Sequence, residues 1–193
     1  QINYKLQDKF DLSIFLPALL LTVIGLIAIY SATLNHPTAS GNFQKQVYSA
    51  IVALIAFLVV YSLPQQVFKM FSIPAYIISI LLLILVLAAG KTVYGSKSWL
   101  NLGPIGFQPS EFAKVALILC LSNWLTYKNR DINNIKDIGI ALLIGFVPIV
   151  LILLEPDTGT AIVFMIITLS LIYWSGISLF GLFVVLSPGF VVA

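Results

Sequence analysis

Apolar runs of about twenty residues follow one another along this chain, separated only by short segments carrying proline, glycine and charge. An α-helix needs about 20 mostly apolar residues to cross a hydrocarbon core of about 30 Å. In lipid, backbone N–H and C=O groups must pair within their own segment, so such runs can only become helices. The composition agrees. With 60% hydrophobic and 9% charged residues and a mean hydropathy of +1.07, the chain has too little polar surface to coat a water-soluble domain.

The runs predict spans at Leu12–Leu34, Val47–Leu63, Ser72–Ala89, Ser110–Leu125, Ile138–Leu154, Gly159–Trp174 and Leu179–Ala193. The expected architecture is an all-α, polytopic transmembrane bundle of about seven spans, forming a single membrane domain over residues 1–193. The first run is too long for a signal peptide and no small-residue cleavage site closes it, so it reads as a retained span. Lys5, Lys9, Lys69, Lys128, Arg130 and Lys136 fall on one side of the predicted topology; Lys45, Lys91 and Lys97 fall on the other. The positive-inside rule then places the amino terminus in the cytoplasm. The last run stops at Ala193 without flanking charges, which reads as a bundle continuing beyond this residue.

The cations are dispersed among loops, so the net charge of +3 gives no basic face for nucleic acid. Cys120 is the one cysteine and lies in an apolar stretch, which excludes a disulfide framework. His36 sits in a polar loop without acidic or histidine neighbours, so no metal site is visible. No HExxH, GxSxG, phosphate loop or CxxC supports zinc, nucleophile or nucleotide chemistry. Trp124, Tyr127, Tyr173 and Trp174 fall where spans end and read as interface belts.

Gly90 to Gln108 is the exceptional connection. Val93, Trp99, Leu100, Leu102, Ile105 and Phe107 make it apolar, while five glycines and prolines deny it a helix. Non-helical backbone at membrane depth is tolerated only against protein or a wet cavity, which predicts an outward-facing cavity beside this loop. An amphipathic loop resting at the headgroups, with Trp99 as its anchor, fits the same composition.

Charged groups in spans cost about 2.5–3.5 kcal/mol at a helix centre, so the few present are informative. Glu111 and Lys114 stand three residues apart at the start of the fourth run, where they can pair on one helix face. Pro109 suits the first helical position and Glu111 the positive end of the helix dipole, whereas Gln108 is a poor cap. A capped helix with a local ion pair accounts for this spacing. So does a cation facing a cavity that receives an anionic lipid headgroup. At the next turn on the same side, Glu155-Pro156-Asp157-Thr158-Gly159-Thr160, Pro156 is expected at a first helical position and Asp157 in the first turn. Two carboxylates with no cation nearby in sequence repel, and burial could raise the pKa of one, which makes Glu155 and Asp157 candidates for cation, proton or substrate hydroxyl contacts. The preferred reading is a solvated turn for Glu155 and function for Asp157.

Trp99-Leu100-Asn101-Leu102-Gly103 followed by Phe107-Gln108-Pro109-Ser110-Glu111-Phe112-Ala113-Lys114 strongly resembles the WL-x-x-G…QPSE-x-x-K signature of the SEDS family of peptidoglycan glycosyltransferases. Pro156-Asp157-Thr158-Gly159-Thr160 resembles the family's second signature, P-D-[LF]-G-T, with Thr158 in place of the usual apolar residue. The resemblance covers essentially the whole chain, but only the front part of a family with about ten spans. It implies a multi-pass enzyme of the bacterial cytoplasmic membrane. That enzyme polymerises lipid II into glycan strands at the outer face, alongside a class B penicillin-binding transpeptidase and without nucleic acid.

Carried over residue by residue, the resemblance places Glu111, Lys114, Asp157, Trp99, Gln108 and Pro109 around the substrate cavity, with Lys114 suited to stabilise pyrophosphate charge. The catalytic aspartate of the family lies in a later outer loop, so it is expected beyond Ala193. No cofactor is identifiable; a divalent cation is compatible with the reaction, but no site for one is visible. QPSE and the short amino terminus lean toward the RodA-like, elongation-type members rather than the FtsW-like, division-type ones. A lipid-linked sugar flippase would also use a cavity lined by lysine and carboxylates, although no inverted repeat is found. A non-catalytic scaffold for the transpeptidase is the third reading.

Overall fold

Residues 10–34, 40–93, 96–102, 105–126 and 134–177 are described by the computed structural model. They form six helices and one small sheet: α1 Leu12–Thr33, α2 Ser40–Ser62, α3 Gln65–Ala89, β1 Lys91–Val93, β2 Ser96–Leu102, β3 Ile105–Phe107, α4 Pro109–Leu125, α5 Ile135–Leu154 and α6 Thr158–Trp174. Leu12–Thr33, Gly41–Ser62, Gln65–Ala89 and Ile135–Leu154 are long and apolar enough to cross a membrane. At 17 residues each, α4 and α6 sit at the lower limit of about 17 for a span. The expected run Leu179–Ala193 and His36 lie outside the described residues.

Three helices begin three or more residues earlier than the apolar runs suggested, α5 at Ile135 among them. α2 starts at Ser40 and α3 at Gln65, because Gln44, Lys45, Gln46 and Lys69 are good helix formers whose long side chains can stay wet while the backbone winds on. The Gly90–Gln108 connection also departs from an all-helical reading. It folds into a three-stranded antiparallel sheet ordered β1-β2-β3, with Lys91 opposite Trp99 and Leu100 opposite Phe107. Strand pairing satisfies the backbone groups that glycine and proline keep out of a helix.

The chain divides into two compact units, Gln1–Pro64 and Gln65–Ala193. In the first, α1 is capped by Asp11, whose Oδ1 accepts from the Ser13 amide at 2.9 Å. No residue of α1 is buried. Phe15 stacks on Phe57, and Phe57 on Tyr61, which joins the two helices at one end.

In the second unit, α3, α4, α5 and α6 pack together, and β2 lies against α3 and α4. Leu83, Leu117, Leu121, Ile152, Phe164 and Ile172 form its fully buried core. Small residues permit the closest approach, with Gly145 of α5 directly against Thr168 of α6. Two buried helix hydroxyls are satisfied locally: Thr168 Oγ1 donates to Phe164 O and Ser79 Oγ to Tyr76 O.

One polar contact crosses the unit for a definite reason. Pro148 lies inside α5 and has no N–H, which leaves the carbonyl four residues earlier, Ile144 O, without its helical donor. Tyr76 of α3 fills that role, its hydroxyl donating to Ile144 O at 2.7 Å. Removing the hydroxyl in Tyr76→Phe orphans this carbonyl and is expected to lower stability by about 1–3 kcal/mol. Thermal unfolding in detergent checks this, and an unchanged melting temperature would refute it.

Candidate functional site

The site is built at the end of the second unit where α3 stops, α4 starts, and α5 turns into α6. Lys97 of β2 ties two of these pieces to the sheet. Its Nζ donates to Leu87 O at 2.8 Å and to Ala88 O at 3.2 Å, covering carbonyls left open at the end of α3. Its backbone N–H donates to Glu155 O at 3.1 Å, fastening β2 to the α5–α6 turn. Next to it, Ser98 is fully buried and shares a 2.8 Å hydrogen bond with Ser96. The ring of Trp99 lies across Gly106 of β3, so close that a Cβ there would come within 3.1 Å of it.

Gln108 occupies the N-cap position of α4 and makes no side-chain capping bond, as its residue type predicts; Pro109 follows at the first helical position and is buried. Glu111 and Lys114 form the expected ion pair, Nζ to Oε1 at 2.8 Å. Glu111 is exposed, with 60% of its side-chain surface accessible, while Lys114 is the more shielded partner at 26%. An exposed pair of this spacing contributes only about 0.2–1 kcal/mol. Fold stability is therefore a weak reason for its presence. Ser110, between Pro109 and Glu111, is buried with an Oγ that has no hydrogen-bond partner.

The α5–α6 turn corrects two expectations. Pro156 is not at a first helical position. It precedes the cap, and Asp157 is itself the N-cap of α6. Asp157 Oδ1 accepts from the Thr160 amide at 3.0 Å and Oδ2 from the Thr160 hydroxyl at 2.8 Å. Thr158–Trp174 thus starts where the first free amides meet an aspartate able to cap them.

Glu155, read from sequence as part of a solvated turn, is 1% exposed, and neither carboxylate oxygen has a hydrogen-bond partner. It lies one residue beyond the end of the α5 span. Burial first, and the Asp157 carboxylate second, push its pKa up from 4.5 to about 7. The signal for this was indirect. A glutamate at a helix end is ordinarily wet, and the burial of this one is a product of tertiary packing.

Trp99 lies on β2, which packs against α4, and Gln108, Pro109, Glu111 and Lys114 lie at the start of α4, while Asp157 is on the turn that Lys97 ties to β2. Two cavities of this unit lie elsewhere. One of about 310 Å³ is walled by Tyr76, Ile80 and Ile144, and one of about 400 Å³ by Lys69, Leu119 and Asn123 near the start of α3.

Residues 11–193 match the FtsW/RodA/SpoVE family of cell cycle proteins, and the chain belongs to that family. Peptidoglycan glycosyltransferase MrdB of Escherichia coli K12 is 34% identical over 182 residues, which is 91% of this chain and 48% of that protein. Peptidoglycan glycosyltransferase RodA of Treponema pallidum is 36% identical, over 92% of this chain and 41% of that protein. A probable peptidoglycan glycosyltransferase FtsW of Alteromonas naphthalenivorans is 33% identical, over 95% and 37%. The chain thus spans about half, or less, of the curated relatives it matches.

Two solved structures share the fold. A chain of a peptidoglycan synthase complex that coordinates polymerization and crosslinking superposes with a TM-score of 0.81 at 26% identity, covering 93% of this chain and 52% of that one. The rod shape determining protein RodA of Thermus thermophilus gives a TM-score of 0.75 at 29% identity, with 91% and 58% covered.

Proposed function

We propose that the protein is a peptidoglycan glycosyltransferase of the bacterial cytoplasmic membrane. It joins the disaccharide-pentapeptide of one lipid II molecule to a growing glycan and releases undecaprenyl pyrophosphate at the outer face. The observation that carries this reading is the partly shielded Lys114–Glu111 pair at the start of α4, beside the sheet, in a chain whose relatives bear that activity in their names. Transfer from a pyrophosphate develops negative charge on the leaving group, and a fixed cation stabilises it most where water is partly excluded.

In this reading Lys114 meets the pyrophosphate, Glu111 holds Lys114 in place, and Trp99, Gln108, Pro109 and Asp157 wall an outward-facing cavity. The base that activates the acceptor hydroxyl belongs to the region beyond Ala193. The finer assignments rest on the apolar runs, the QPSE motif and the distribution of cations. They are a RodA-like role in elongation, about seven spans in one membrane domain over residues 1–193, and a cytoplasmic amino terminus. A class B penicillin-binding transpeptidase is the proposed partner, supported by the fold shared with a polymerising and crosslinking complex.

The test is polymerisation of fluorescent lipid II by the whole protein in detergent, with and without the transpeptidase. Long glycan products are expected when both are present. Movement of lipid II across vesicle bilayers without any polymer would overturn the reading in favour of a flippase.

A further inference from the structure

We propose that the cavity between the start of α3 and the end of α4 binds the headgroup of an anionic phospholipid, with Lys69 as the cation that meets its phosphate. The cavity holds about 400 Å³. It lies at the opposite end of the second unit from the candidate site, since α4 begins at that site and ends here. Its lining is mixed: Lys69 and Ser122 supply polar atoms, Phe68 and Leu119 supply apolar wall, and no acidic residue takes part.

The groups that could neutralise Lys69 from within are engaged elsewhere. Asn123 Nδ2 of α4 donates to Ser72 Oγ at 2.9 Å, and that hydroxyl donates to Lys69 O at 2.8 Å, so α4 grips the turn of α3 that carries the lysine. Ser122 O, at the end of α4, is covered by the amide and the hydroxyl of Thr126. Lys69 is exposed, and its Nζ makes no ion pair or hydrogen bond with another described residue; the Ser122 hydroxyl is likewise unbonded among them. α3 begins beside the cavity with no acidic residue in its first turn, so the positive end of its dipole adds to the field of Lys69. The cavity thus presents a positive charge and a hydroxyl donor without a matching anion.

That chemistry fits a phosphate, and its position favours a lipid phosphate over a free one. Lys69 stands one turn inside the start of a helix long and apolar enough to cross a membrane. One turn further toward the membrane interior, Ile73 follows Lys69 on α3 and Val115 precedes Leu119 on α4, each pair on one helix face. Both Ile73 and Val115 are exposed and apolar. A phosphate held by Lys69 therefore has a surface along which its acyl chains can run. With the amino terminus cytoplasmic, as proposed above, the cavity belongs to the cytoplasmic leaflet, where anionic lipids gather around cations at the ends of spans.

The test titrates the whole protein in detergent with dioleoylphosphatidylglycerol, dioleoylphosphatidylcholine or glycerol phosphate and follows thermal unfolding. Phosphatidylglycerol is expected to raise the melting temperature and to saturate. Phosphatidylcholine, whose headgroup cancels its own charge, and glycerol phosphate, which has no chains, should have little effect at the same concentrations. Lys69→Gln should raise the concentration needed for half the effect about fivefold. Lys69→Arg should restore it, and Lys45→Gln, which removes a cation outside the cavity, should leave it unchanged. Leu119→Trp fills the cavity while keeping the charge, and should weaken the lipid at least as much as Lys69→Gln.

Equal stabilisation by phosphatidylcholine overturns the proposal, as does a titration that Lys69→Gln leaves unmoved. A Leu119→Trp protein that folds and still responds fully would show attraction to the lysine at the surface, without a cavity site, and also counts against it. Glycerol phosphate as effective as phosphatidylglycerol would make this a site for soluble phosphate and not for lipid. None of these readouts involves glycan synthesis, so the lipid site and the proposed reaction stand or fall separately.

Discussion

Glu111→Gln combined with Lys114→Met is expected to give a protein that inserts in the membrane, folds and binds its transpeptidase, yet makes no glycan from lipid II. The magnitudes make this a clean separation. The pair contributes no more than about 1 kcal/mol to the fold, because Glu111 is exposed and the two residues are already neighbours on one helix. A cation that stabilises a developing pyrophosphate is worth much more to the rate. Loss of one such preorganised group typically costs about a hundredfold to a thousandfold in turnover. Melting temperature and polymer yield should therefore separate, with the first nearly unchanged and the second below detection. Near-normal glycan synthesis by the double variant would leave only the structural account, a capped helix with a local ion pair.

Replacing Gly145 should have the opposite profile, with a large effect on folding that precedes any effect on chemistry. A Cβ at this position would overlap the side chain of Thr168, which is buried and cannot swing aside because it is short, branched and bonded to Phe164 O. α5 and α6 would have to separate along a contact that in lipid is held by close packing rather than by expulsion of water. Gly145→Ala is expected to destabilise by about 1–3 kcal/mol, and Gly145→Leu by more. The pairing offers an internal control. Thr168→Ala in the Gly145→Ala background removes the hydroxyl and methyl that collide, so melting temperature should partly recover. Full tolerance of Gly145→Leu would contradict the observed approach of the two helices.

These cases also show what the sequence could and could not disclose. Six of the apolar runs fall on the six described helices, four of them long and apolar enough to cross a membrane, because in lipid an apolar run has one backbone solution. They did not locate the starts of α2 and α3, since Gln44, Lys45 and Lys69 lie in the helix while extending beyond the apolar run. The exceptional character of Gly90–Gln108 was legible, but its strands were not. β1 and β3 are only three residues long and take their pairing from β2 rather than from their own composition.

The ion pair of Glu111 and Lys114 was readable because three residues of helix dictate it. The capping role of Asp157 was half readable: the acid was found, but Pro156 drew the helix start two residues too early. Glu155 was misread. Its burial is a product of tertiary packing, and no local pattern records which residue of a turn the rest of the fold will cover.

The hydrogen bond from Tyr76 to Ile144 carries a historical consequence. The carbonyl that receives it is open only because Pro148 interrupts the ladder of α5, so the proline and the tyrosine are useful to the fold together and less so apart. A lineage that replaced Pro148 with a residue bearing an N–H would close the ladder and release Tyr76 from selection for its hydroxyl. One that lost the tyrosine first would keep an unsatisfied carbonyl in the bundle. The two positions, 68 residues apart, should therefore have changed in a preferred order during descent, proline before tyrosine.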